Sequence, residues 1–219
     1  MNLRDRLQAE LTPVLMVPPS GALPEEPRAD AHRYLVACDG IYLEVNRPWL
    51  RAVARVARAE VPLPFGAVAP QLDVVCGPVP RELFDEFCAL AQVALPAETS
   101  ALIVWSASTR QFRLLPTAVH ATAEAVQYCI PPLQRDEYLV VDIHSHARSK
   151  AFFSVTDDLD DRHDVKLSIV IGSVDRLQIS VCARMCLMGT FTEIPRVFAN
   201  QHSPVDTVEG IDFQKVEPC

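Results

Sequence analysis

A chain of 219 residues, 49% apolar and 22% charged, is long enough to bury a core and too apolar to remain disordered. Its net charge of −8 argues against sequence-wide nucleic-acid binding, which needs phosphate neutralisation, so direct nucleic-acid binding is not expected. No apolar run approaches the roughly 18–20 residues of a membrane span, and MNLRDRLQAELTP lacks a signal-peptide core, so a cytoplasmic chain with no membrane partner is expected.

In chain order, Leu3, Leu7 and Leu11 fall at helical spacing and lead into the proline-rich VPPSGALPEEP at 17–27, which reads as a semi-rigid connector rather than core. HRYLVACDGIYLEV then offers two apolar runs joined by Asp39-Gly40, a hairpin signal. Asn46 is placed to cap a helix with Pro48 in its first turn, running to Glu60. Its apolar face would be Trp49, Val53, Val56 and Ala57. Arg51, Arg55 and Arg58 would lie on another face, as a solvated flank or a docking patch for an acidic partner.

A second proline-rich stretch, 61–70, separates this module from the rest. Leu83, Phe84, Phe87, Leu90 and Ala91 then predict a helix over 79–94, ended by Pro96. Strands are expected at 101–105, 111–115, 125–130 and 138–146, a short acidic helix from 155, and a hairpin from 166–172 and 176–185. Strands and helices without a repeating βαβ period predict an α+β fold, a mixed sheet covered by helices. The divisions expected are an N-terminal α+β module at 1–75, a main domain at 79–200 and an irregular tail at 201–219.

The seven cysteines are odd in number and never spaced C-x-x-C, so neither a disulfide framework nor a thiolate metal site follows. The informative stretch is His144-Ser-His146, followed by Ser154-Val-Thr-Asp157. Two histidines two apart at a strand end point to the same side. With one carboxylate they make a catalytic kind of zinc site, three protein ligands with a fourth position open to water. Ser154-x-x-Asp157 is equally a helix-capping pattern, and a capped helix is also a rigid way to present Asp157. The acidic residues after Asp157 read most simply as a solvated helix face. A hydrolase at this site needs a general base, and spacing alone does not choose one among the carboxylates.

The pattern H-S-H-x7-S-x2-D resembles the signature of the JAMM family, also called MPN-plus or JAB-domain metalloproteases, with a cytidine-deaminase-like α/β/α-type fold. Its members are zinc isopeptidases and peptidases, deubiquitinating enzymes among them. The family's glutamate follows a proline, after a helix and ahead of a strand, and Glu98 in Leu95-Pro96-Ala97-Glu98 matches it. The resemblance spans roughly Val79 to Pro195. It implies one zinc held by His144, His146 and Asp157, Glu98 as general base, and Ser154 as donor to the tetrahedral oxyanion. It also implies an amide bond at the C-terminus of a ubiquitin-like protein, or of its conjugates, as substrate. Two departures are Ala101, where the family has glycine, and Ala147, where proline often follows the second histidine. A narrower likeness, carried by Ala151-Phe-Phe-Ser154-x-x-Asp-Asp158-x-Asp-Asp161 with D-G-I-Y-L and L-P-F-G, is to the protein A subgroup of the PRTRC system. That system is a bacterial, often plasmid-borne cassette with ubiquitin-like, ThiF-like and conjugating-enzyme-like members. The rival reading is a non-catalytic MPN-type scaffold of such a cassette, and the complete ligand set counts against it.

Overall fold

Alternating apolar residues in the first third of the chain build a sheet, and near-continuous apolar runs in the remainder build another. The computed structural model describes residues 2–23, 25–121, 126–129 and 131–194. The expected tail at 201–219, the end of the main domain from 195, and Ala125 and Ile130 of the expected strand lie outside the described residues. The fold is mixed α+β, as the sequence predicts, and divides into two units, Met1–Cys76 and Gly77–Cys219. No helix among the described residues is long and apolar enough to cross a membrane.

The first unit contains α1 (Leu3–Leu11), β1 (Val14–Met16), β2 (Ala31–Ala37), β3 (Gly40–Arg47), β4 (Leu50–Arg58) and β5 (Gln71–Asp73). The five strands lie in the order β1-β2-β3-β4-β5, with β1 parallel to β2 and the other pairs antiparallel. The helix expected from Asn46 to Glu60 is instead β4. Pro48 and Trp49 form the turn that returns the chain, and Val45, Glu44 and Leu43 pair with Ala52, Val53 and Ala54. Helix propensity in this Ala- and Arg-rich run is a weak preference, and cross-strand pairing with β3 overrides it. The three arginines therefore form no helical stripe. Arg55 binds Asp39 at 3.0 Å, and Arg51 lies 3.7 Å from Glu26.

The hairpin forms one residue earlier than expected, with Cys38 and Asp39 as its loop. Gly40 opens β3 because a Cβ there would sit 2.1 Å from the Ala57 carbonyl oxygen of β4. The proline-rich stretches are not free connectors. Val17 is fully buried with Leu35, Ala37 and Tyr42, and Leu23 and Val68 close over them. Gly66 donates to Val17 O at 3.0 Å and accepts from Cys38 N at the same distance. Prolines cannot join a ladder, so these segments lie alongside the sheet and are tied at a few non-proline amides.

The second unit contains α2 (Arg81–Ala94), β6 (Ser100–Ser106), β7 (Phe112–Pro116), β8 (Ala118–Ala121), β9 (Val126–Tyr128), β10 (Glu137–Ser145), α3 (Val155–Asp160), a 3-10 turn (Asp161–His163), β11 (Val165–Gly172), β12 (Ser180–Leu187) and β13 (Thr190–Glu193). Its main sheet runs β13-β12-β11-β10-β6-β7, and β8 and β9 pair separately. Among the described strands of this sheet only β10 and β11 pair in parallel, so the chain between them must cross over, and that crossover carries α3. The inner strands β6 and β11 are almost wholly buried, as the apolar runs ALIVW at 101–105 and IVI at 169–171 require. Helix α2 buries Phe84, Phe87 and Ala91 at helical spacing.

Candidate metal centre

The site begins where β10 ends. The ladder pairs His144 with Ser100 of β6 on one side and Val170 of β11 on the other. His146 N–H donates to Ile171 O at 2.8 Å, so the pairing continues past the last strand residue and sets the second ring beside the first. The His144 and His146 Nε2 atoms are 3.2 Å apart. The edge of Phe152 covers His146, with ring centres 4.5 Å apart. Burial, and then the neighbouring His144, lower the His146 pKa from its usual value, against weaker opposing effects of Asp157 and the Lys150 backbone. A histidine so placed is neutral at neutral pH and keeps a lone pair for a metal.

The loop from Ala147 to Phe153 crosses directly over the end of β11. A Cβ on Gly172 would lie 2.3 Å from Ser149 O and 2.4 Å from Ala151 N, so glycine is required by close approach. Ser180 Oγ accepts from Ala151 N at 2.8 Å and Ser149 O accepts from Ser173 N at 2.6 Å, fixing the loop's path. Ala147 has φ +45°. Proline, locked near −65°, could not adopt that conformation, so the departure at this position matches a local change of backbone path.

Ser154 then caps α3 in a reciprocal capping box. Its Oγ accepts from Asp157 N at 3.2 Å, and its own N–H donates to Asp157 Oδ2 at 2.6 Å. One carboxylate oxygen is held by the cap, and the other, Oδ1, points to His144 Nε2 at 3.5 Å. Capping and presentation of Asp157 are therefore both realised by the same bonds. His144, His146 and Asp157 each offer a ligand atom within 4.8 Å of the others. Ligands about 2.0–2.1 Å from a tetrahedral zinc stand about 3.3 Å apart, so the donor set and its spacing fit such an ion. Among the described residues this is the group that could bind a metal.

Glu98 is buried, 8% exposed, just before β6. Ser145 N–H donates to Thr99 O at 2.9 Å, and Thr99 N–H donates to Ser145 Oγ at 3.0 Å. The adjacent Glu98 thus belongs to the same end of the β6–β10 pair as the two histidines. Ala101, in place of the family glycine, is a buried strand residue paired with Ile143 and Pro116.

The acidic segment after Asp157 is solvated at Asp158 and Asp160, as expected, but its end is not. Asp161 is buried and accepts from Arg184 Nη2 at 2.7 Å and from Lys166 Nζ at 2.8 Å. Lys166 also reaches Asp142 at 2.8 Å and Asp164 at 3.0 Å, and Arg184 binds Asp158. Burial alone would raise the Asp161 pKa, but hydrogen bonds and charge from Lys166 and Arg184 outweigh it and hold the carboxyl below its usual value. Burial likewise opposes the charge on Lys166, and Asp142 and Asp161 more than compensate. Lys166 and Arg184 sit in apolar strand runs, and only the register that places them under α3 reveals their role.

Residues 2–75 match a family model described as a domain of unknown function, DUF2016. Residues 80–185 match the model of prokaryotic homologs of the JAB domain. No curated protein matches the chain. Among solved structures, that of protein DSY2949 from Desulfitobacterium hafniense aligns with 52% of this chain and 86% of its own, at 15% identity and a TM-score of 0.39. The stretch that carries His144 and His146 at the end of β10 and caps α3 with Ser154 and Asp157 lies inside the second match, so residues 80–185 are similar to prokaryotic JAB-type domains.

Proposed function

We propose that this protein is a zinc-dependent hydrolase that cleaves an amide bond, isopeptide or peptide, at the C-terminus of a ubiquitin-like protein. A JAB-type domain is compatible with a hydrolase or a scaffold role, and the convergence of His144, His146 and Asp157 at hydrogen-bond spacing favours the hydrolase. A scaffold has no use for two imidazoles and a carboxylate turned toward one point. Zinc bound there would supply a water of lowered pKa and an electrophile for the scissile carbonyl. Glu98, as general base, takes the proton of the attacking water and returns it to the leaving amine. Its burial keeps that carboxylate out of bulk solvent. Ser154 Oγ accepts from Asp157 N–H within the cap, which leaves its own hydrogen to donate to the oxyanion.

The ubiquitin-like substrate, the ThiF-like and conjugating-enzyme-like partners, the PRTRC assignment and a cytoplasmic, plasmid-linked setting rest on the sequence resemblance. The purified full chain should contain about one zinc and cleave a reporter fused to the ubiquitin-like protein of its own cassette. Absence of zinc after mild purification would reject the reading.

A further inference from the structure

Helix α3 is only six residues long and buries none of them. A helix of that length has no stability of its own, and apolar packing does not hold this one. Yet it carries Asp157, whose Oδ1 must stay with the histidine pair. Beyond its Ser154 cap, what ties it to the sheet is charge. In the register β10–β11–β12, Asp142 pairs with Ser168 and Ser168 with Arg184, so these residues share a face with His144 two positions on and with Lys166 two positions back. Arg184 lies between the rings of Phe153 and Phe191, 3.9 and 4.1 Å from their centres, while binding Asp158 and Asp161. It therefore touches the chain just before the cap, just after Asp157 and at the helix end. Lys166 joins Asp161, at the end of that helix, to Asp142, on the strand that bears His144 and leads into His146.

We infer that Lys166, Asp161 and Arg184 are positioning residues of the metal centre, a buried ionic clamp that fixes Asp157 against His144 and His146. This rests on the metal-binding reading above. The clamp touches no proposed ligand atom and acts through Asp157 alone. Apo full-length protein and its Lys166→Gln and Arg184→Gln variants would be titrated with zinc against a chromophoric chelator. Each variant should bind zinc about tenfold or more weakly, in line with the loss of an outer-shell support. In an Asp157→Ala background the same substitutions should change zinc affinity less than about twofold, because the group they position is gone. Asp158→Ala, which removes one half-exposed partner of Arg184 and leaves no buried carboxylate unpaired, should give a smaller loss in the same direction, and Arg184→Lys should recover part of the Arg184→Gln loss. Equal losses with and without Asp157, or unchanged affinity in folded variants, would overturn the clamp while leaving the zinc site standing. Wild-type protein that takes up no zinc would overturn the site and the clamp together.

Discussion

Both units hold buried or half-buried charges, and they use them differently. In the first unit the best-buried charges are satisfied within the β2–β3–β4 meander. Arg33 of β2 binds Glu44 of β3, the residue it pairs with in the ladder, and Asp39 accepts from Tyr42 and Arg55. In the second unit the charges of β11 and β12 reach out of the sheet to the crossover carrying α3. Beside them, two imidazoles and a carboxylate converge, each with an atom able to serve as a ligand. A donor matched to an acceptor stabilises a fold, whereas acceptors gathered without a matching set of donors invite a cation. The difference favours the second unit as the place of the proposed chemistry.

Substitutions can break that contrast from either side. The largest effect expected is on turnover. Glu98→Gln should slow cleavage of a ubiquitin-like fusion by about 10²–10⁴-fold with zinc content unchanged, the range for loss of a general base. Retained cleavage would move the base elsewhere. In the first unit, Arg33→Met leaves the partly buried Glu44 without its partner and should cost about 2–4 kcal/mol in urea unfolding. Zinc affinity, measured in parallel at native conditions, should not change, and a change would show that the charges of the two units are not separate in function. Ser154→Ala removes the cap and should lower stability by about 0.5–2 kcal/mol. Because Ser154 N–H still holds Asp157 Oδ2, zinc should be retained while turnover falls.

The smallest effect is that of pH on the clamp. Asp161 titrates below its usual value in the folded protein, so its contribution is fully present above the unfolded carboxylate value of about 3.9 and is lost as pH falls through the folded one. Unfolding midpoints of wild type and Asp161→Asn should therefore converge as pH is lowered from 6 toward 2. Curves that stay parallel would mean the carboxylate is not what Lys166 and Arg184 stabilise.

Much of this organisation is visible in the chain's own pattern. Helix α2 is legible from Phe84, Phe87 and Ala91 because a helix with one buried face writes its period directly. The central strands are legible from their short apolar runs, and the Ser154–Asp157 cap from residue type and spacing. The run after Pro48 is not legible, since Trp-Leu-Arg-Ala-Val-Ala-Arg satisfies a helical period and a strand period alike, and β3 decides between them. The proline-rich segments mislead for a related reason. Composition marks them as unable to pair, but says nothing of whether Val17 finds a core.

The sequence by itself determined which atoms can serve as ligands, His144, His146 and Asp157, because residue type and local spacing set what a side chain can bind and which way a strand end or helix cap aims it. Only the tertiary structure decided how Asp157 is brought within 3.5 Å of a histidine on another element, and which residues hold it there. Lys166 opens the strand that directly follows the helix, and Arg184 lies on the strand after it. Their meaning comes from register and from the parallel crossover, which are properties of distant pairings and leave no local mark.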